Sequence, residues 1–178
     1  MASRAAFLVA SLLCLACRPG GAVFPVAVGA RGPLPTWNGP CDEAGVGGDA
    51  VTVERGRYVA VREGDATLGC RDGLVRMEAR AVASLRLEGP ATLGDRWQTY
   101  RLTAAAADGG ALDLGDAEIS WTLSDSLERD SSCHGHLIAS CDPPRALRVR
   151  LRQGAAAAEA EISATFGGRR ATRTLRRE

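Results

Sequence analysis

Hydrophobic and polar positions alternate along most of the chain after Cys41. A period of two marks strands with one face buried and the other in water. The most regular stretch sets Leu147, Val149 and Leu151 between Arg148, Arg150 and Arg152. Ile119, Trp121 and Leu123 alternate with Ser120, Thr122 and Ser124, and Ala160, Ile162, Ala164 and Phe166 with Glu161, Ser163 and Thr165. Leu85 and Leu87 share a face, as do Tyr100, Leu102, Ala104 and Ala106. Shorter strands are expected at Ala50–Glu54, Arg57–Arg62, Ala66–Cys70, Leu74–Ala79 and Ala171–Leu175. Arg71-Asp72-Gly73, Asp108-Gly109-Gly110 and Gly167-Gly168 separate them with turn chemistry. Helical spacing occurs only around Ala155–Ala158, a stretch short enough to be a turn and a strand start. Many short strands between turns predict an all-β fold, an antiparallel sandwich whose sheets bury their apolar faces together. Trp121 and Phe166 are expected to supply most of the core bulk.

The chain before Cys41 reads differently. Arg4 precedes an apolar run, Ala5 to Cys17, that stops at Arg18-Pro19-Gly20-Gly21. A bilayer core needs about 20 apolar residues, so the run is too short to span. It reads as a cleaved export signal, 1–16 or alternatively 1–22. Leu15-Ala16-Cys17 has the form of a lipobox ending, with Cys14 where that motif usually has Leu; Cys17 is then the lipidated residue. Gly20-Gly21-Ala22 offers ordinary signal peptidase its small residues instead. In the first case attachment to a membrane rests on acyl chains. Residues 17–40 are rich in Gly, Pro and Ala with no apolar period, and predict a flexible tether. Trp37 is expected to fold back as a packing anchor.

Composition narrows the partners. All 22 basic residues are Arg and 21 residues are acidic, for a formal net charge of +1 over 178 residues. That balance argues against a nucleic-acid partner. Aromatic content of 4% argues against a stacking platform. The absence of Lys reads as genome bias. Of six Cys, Cys14 and Cys17 fall in the signal. The remaining four, Cys41, Cys70, Cys133 and Cys141, are an even number suited to an oxidising compartment. The favoured pairing is Cys41–Cys70 and Cys133–Cys141, one bridge in each half.

Candidate chemistry is thin. Cys133, His134, His136 and Cys141 could ligate zinc, but the spacing matches no known zinc site, and a disulfide is the simpler reading. No metal and no cofactor is assigned. Asp130, Ser132 and His134 lie near one another without a nucleophile elbow, so no catalytic residue is assigned. Asp113, Asp116, Asp125 and Asp130 lack calcium-loop spacing. Arg148, Arg150 and Arg152 form a basic stripe, extended by Arg169, Arg170, Arg173, Arg176 and Arg177, that could bind anionic polysaccharide or headgroups.

Four segments from Val82 onward resemble a bacterial immunoglobulin-like domain of the "Big" type, in family order. They are Val82–Leu87 with Gly89–Asp95, Tyr100–Ala104 with Asp108-Gly109-Gly110, Ile119–Asp125, and Ala160–Gly168. The cysteine-containing stretch between Asp125 and Arg145 departs from that pattern. Val61–Leu68 is similar to a further step of the same family, so 41–81 reads as the trailing strands of a truncated preceding copy, packed on or extending an Ig-like sandwich at 82–178. The resemblance implies extracytoplasmic, structural or adhesive use and transfers no catalytic residue. The expectation is a non-enzymatic lipoprotein or secreted protein of a bacterial envelope: outer membrane, periplasm or cell surface. Its partners would be the membrane, through the anchor, and an envelope protein or polysaccharide; nothing specifies an oligomeric state. The alternative is an envelope ligand- or metal-binding protein that uses the Cys133–Cys141 loop.

Overall fold

The computed structural model describes residues 22–36, 41–71, 73–130 and 145–177. Among these there is no helix, and fifteen strands carry the fold. The second half forms a complete Ig-like sandwich. One sheet places β7 (Ser84–Glu88), β9 (Gln98–Ala105), β13 (Ala146–Leu151) and β12 (Leu127–Arg129) side by side, all antiparallel. The other has the order β11 (Ser120–Leu123), β14 (Glu159–Phe166), β15 (Arg169–Arg177) and β8 (Thr92–Leu93), with β8 running parallel to β15. This is the A-B-E-D and C-F-G arrangement of immunoglobulin sandwiches. The hairpin joining β14 and β15 turns on Gly167 and Gly168, both at positive φ (55° and 74°). Two positive-φ residues give a hairpin turn the same twist as its strands.

The predicted alternation is the observed one. Leu147, Val149 and Leu151 are buried while the arginines between them face outward. Of the two aromatics expected to supply the core bulk, Phe166 is buried in it. Trp121 is only half-buried at the margin of the core. Tyr100 is the largest fully buried side chain, joined by Leu102, Leu127, Ile162, Leu175 and Val149. Gly89 leaves room for the Tyr100 ring: a Cβ there would lie 2.6 Å from the ring.

The first half repeats part of this pairing. β6 (Gly73–Arg80) is antiparallel to β5 (Gly64–Cys70), and β5 to β2 (Cys41–Gly47), as β15, β14 and β11 pair. β4 (Arg57–Ala60) is antiparallel to β3 (Val51–Glu54), as β13 is to β12. Cys41 and Cys70 stand opposite each other across β2 and β5 and are joined by a disulfide. The bridge closes a separation of 29 residues, a loop whose constraint is worth about 2–4 kcal/mol.

The tether expected over 17–40 is corrected by the structure. Val23–Pro33 is an eleven-residue strand, β1, with Val26, Ala27 and Ala30 buried. Its first part, Val23–Ala27, runs parallel to Arg76–Arg80 of β6. Its end, Arg31–Pro33, is antiparallel to Arg57–Val59 of β4. Its other edge lies parallel to β10 (Ala111–Gly115), which is hairpinned to β9. One strand therefore does in the first half the work of β8 and β9 in the second, and also connects the halves. The sheet runs without a break from β12 to β2. Its physical basis is small side chains: Ala27 and Ala30 are wholly enclosed, and Gly29 takes a left-handed φ of 88°.

Candidate interaction site

Arg148 and Arg150 of β13, and Arg152 just beyond its end, follow one another at alternate positions, and the structure supplies each with a partner. Arg148 donates to Asp130 at 2.9 Å, Arg150 ion-pairs with Glu128, and Arg152 donates to the Leu127 carbonyl at 3.0 Å. The β12–β13 register sets Glu128 opposite Arg150. The Arg150 guanidinium also lies 4.5 Å from the centroid of the Trp97 ring, and Arg148 lies 6.0 Å from it. Two arginines of the expected basic stripe are thus paired with acids, and the third with a main-chain carbonyl. Trp97 was not anticipated, because it lies in a loop between turn residues and only tertiary packing brings it over β13.

The acidic residues considered for calcium are likewise engaged with arginine. Asp113 accepts from Arg145 at 2.5 Å, and Asp116 ion-pairs with Arg57. Among the described residues no three metal-ligating side chains converge. Cys17, Cys133, His134, His136 and Cys141 lie outside the described residues, as does Trp37.

The C-terminal arginines lead to a different feature. Between β7 and β15 runs an open slot of about 700 Å³, lined by Leu85, Arg86, Glu88, Arg170, Thr172 and Arg173 among others. Its two rims are strand edges. Among the described residues β7 pairs only with β9, and β15 meets β8 only at Arg176 and Arg177. Arg176 sends its N–H outward to the Ala91 carbonyl at 3.2 Å. Alternate residues of a strand in an antiparallel ladder present their N–H and C=O to the same side. Arg170, Thr172 and Thr174 therefore face the slot with their backbone polar groups. On the opposite rim the Leu87 carbonyl points inward to the slot, where it accepts from Arg173 at 3.0 Å; Arg173 also donates to the Pro90 carbonyl at 3.2 Å. Arg173 thus spans one end and leaves the Arg86–Arg170 end open. Arg170 is steadied by Ser163 at 2.9 Å, and its side chain remains 59% exposed. Arg170 is also paired with Glu161 at 3.5 Å, so Arg86 is the positive group at the open end, with Glu88 as a counterweight.

Unpaired edges invite pairing with another chain. Here, however, β7 and β15 approach within 8 Å, less than the roughly 9.5 Å that a strand bonded to both would need, so the slot offers a surface and not a gap in the sheet. The alternation pattern could not reveal this. It shows which face of a strand is buried and says nothing of which edge lacks a neighbour.

No family model matches the chain, and no curated protein matches it. Solved structures do. Domains 5–6 of the S-layer protein SbsC align over 88% of this chain and 93% of that one, with 13% identity and a TM-score of 0.39. The Escherichia coli adhesin FdeC aligns over 86% of this chain and 61% of that one, with 15% identity and a TM-score of 0.35. The I9–I11 tandem of titin aligns over 88% and 63%, with 8% identity and a TM-score of 0.32.

Proposed function

We propose that this protein is an exported, non-enzymatic Ig-like module of a bacterial envelope, held at a membrane through Cys17. It engages a neighbouring envelope protein across the surface between β7 and β15. The observation that carries this reading is the open slot there, lined by Arg86, Glu88, Arg170, Thr172 and Arg173. Arg86 at its open end favours an acidic residue on that partner. Export is supported by the Cys41–Cys70 bridge, which persists in oxidising compartments, and by the signal-like run that ends at Cys17. Only residues 18–22 separate Cys17 from the first residue of β1, a reach of at most about 18 Å. The module therefore sits close to its membrane.

Site-specific photo-crosslinking tests the reading. Thr172→p-benzoylphenylalanine places a reactive ketone on the slot rim in cells that export the intact chain. The expected result is one discrete adduct, absent when the same group replaces the exposed Thr52 of the other half. No adduct from position 172, or the same adducts from both positions, contradicts this interface.

A further inference from the structure

A second cleft, of about 490 Å³, lies where the two halves meet, beside β1. It arises because β1 shifts register against β10: five residues separate Val26 from Arg31, while their partners Asp113 and Gly115 are two apart. The excess length of β1 leaves a gap that neighbouring side chains do not fill. Its walls are apolar, built from Phe24, Pro25, Pro35, Met77 and Leu112, with Tyr58 at one side.

Tyr58 is 4% exposed; among the described residues its hydroxyl makes no hydrogen bond, and it is not sealed from solvent but opens on the cleft. Its oxygen lies against Gly115, also a wall of the cleft: a Cβ on that glycine would stand 2.9 Å from it. Burial first, then the Asp113 and Asp116 carboxylates, push the Tyr58 pKa up to about 12, so the hydroxyl keeps its proton at every physiological pH. The charges at the rim are already paired, Asp113 with Arg145 and Asp116 with Arg57. Nothing there calls for a charged ligand. The Tyr58 hydroxyl and the Arg145-paired Asp113 are the polar side chains of a lining that is otherwise apolar, and of the two only the hydroxyl can donate.

We propose that this cleft binds a small, neutral, largely apolar molecule whose single hydrogen-bond acceptor receives the proton of the Tyr58 hydroxyl. The volume falls in the range of ordinary small-molecule pockets, which combine apolar walls with a few placed polar groups. The site is separate from the β7–β15 slot and does not depend on it.

The probe is prodan, a neutral naphthalene ketone whose emission reports hydrogen bonding to its carbonyl, titrated into the intact chain. The wild type is expected to bind it saturably. Tyr58→Phe removes the donor and should weaken binding roughly 3- to 10-fold with a blue-shifted emission, as loss of one neutral hydrogen bond predicts. Ala111→Trp changes an exposed residue of the cleft wall and should abolish binding while leaving the melting temperature unchanged. Leu85→Trp, in the other slot, should leave binding as it was. No saturable binding by the wild type overturns the proposal. So does equal binding by the wild type and Ala111→Trp. Sedimentation supplies the third contrary outcome: a wild-type dimer that Ala111→Trp dissociates makes the cleft a contact between copies. Should Tyr58→Phe fail to fold, Ala111→Trp still decides the question.

Discussion

Tyr100→Ala will destabilise the protein by about 3–5 kcal/mol, the range for emptying a large aromatic site in a closed core. Tyr100 is wholly buried in β9, the strand that pairs with β7, β10 and β13. Its ring packs where Gly89 withholds a side chain, so no neighbour stands ready to fill the space. The hydroxyl is a minor contributor. It donates to Gln98 Oε1 at 2.9 Å, and Tyr100→Phe should cost only about 0.5–1.5 kcal/mol. Denaturant titration of the two variants separates packing from hydrogen bonding. Similar losses for both would mean that the hydroxyl, not the ring, holds the site.

Gly115→Ala is the second large effect, and it acts on the connection between the halves. Gly115 sits at φ 56°, in the left-handed region. There a Cβ meets its own backbone at a cost of about 1–2 kcal/mol. The neighbours add more: the new Cβ would lie 2.2 Å from the Arg31 carbonyl oxygen and 2.9 Å from the Tyr58 hydroxyl. The Arg31 oxygen is backbone and is held by the N–H of Asp116 at 2.8 Å, so it can move only if β1 moves. The combined loss should be about 2–4 kcal/mol. Hydrogen exchange distinguishes this variant from Tyr100→Ala. Gly115→Ala should lower protection first in β1 and β10, whereas Tyr100→Ala should lower it through β9 and β13. Uniform loss in both would contradict the placement of Gly115 at the connection.

Much of this architecture was legible from alternation. The strand of Leu147, Val149 and Leu151 and that of Ala160, Ile162 and Phe166 lie where the pattern put them, because each has one face in the core and one in water. β1 was not legible. Its buried residues Val26, Ala27 and Ala30 break the period of two, and its glycines and prolines resemble those of a linker. What makes it a strand is parallel pairing with β6 and β10, partners about 50 and 90 residues away, and local composition does not encode that. β10 did carry a signal: Leu112 and Leu114 alternate with Ala111 and Asp113. The arginine face of β13 was readable as a face, but not as a partnered one, because its acids come from β12 and its aromatic from a loop. The Cys41–Cys70 bridge followed from counting cysteines in one half, and the fold places the two residues directly opposite.

A rigid two-part module is the premise on which the cleft beside β1 depends. If β1 ties the halves together as its pairing indicates, they unfold together. Differential scanning calorimetry of the intact, oxidised chain measures this directly. The account predicts one transition, with equal calorimetric and van't Hoff enthalpies. Two separable transitions, one of which is unchanged by Gly115→Ala, would contradict it.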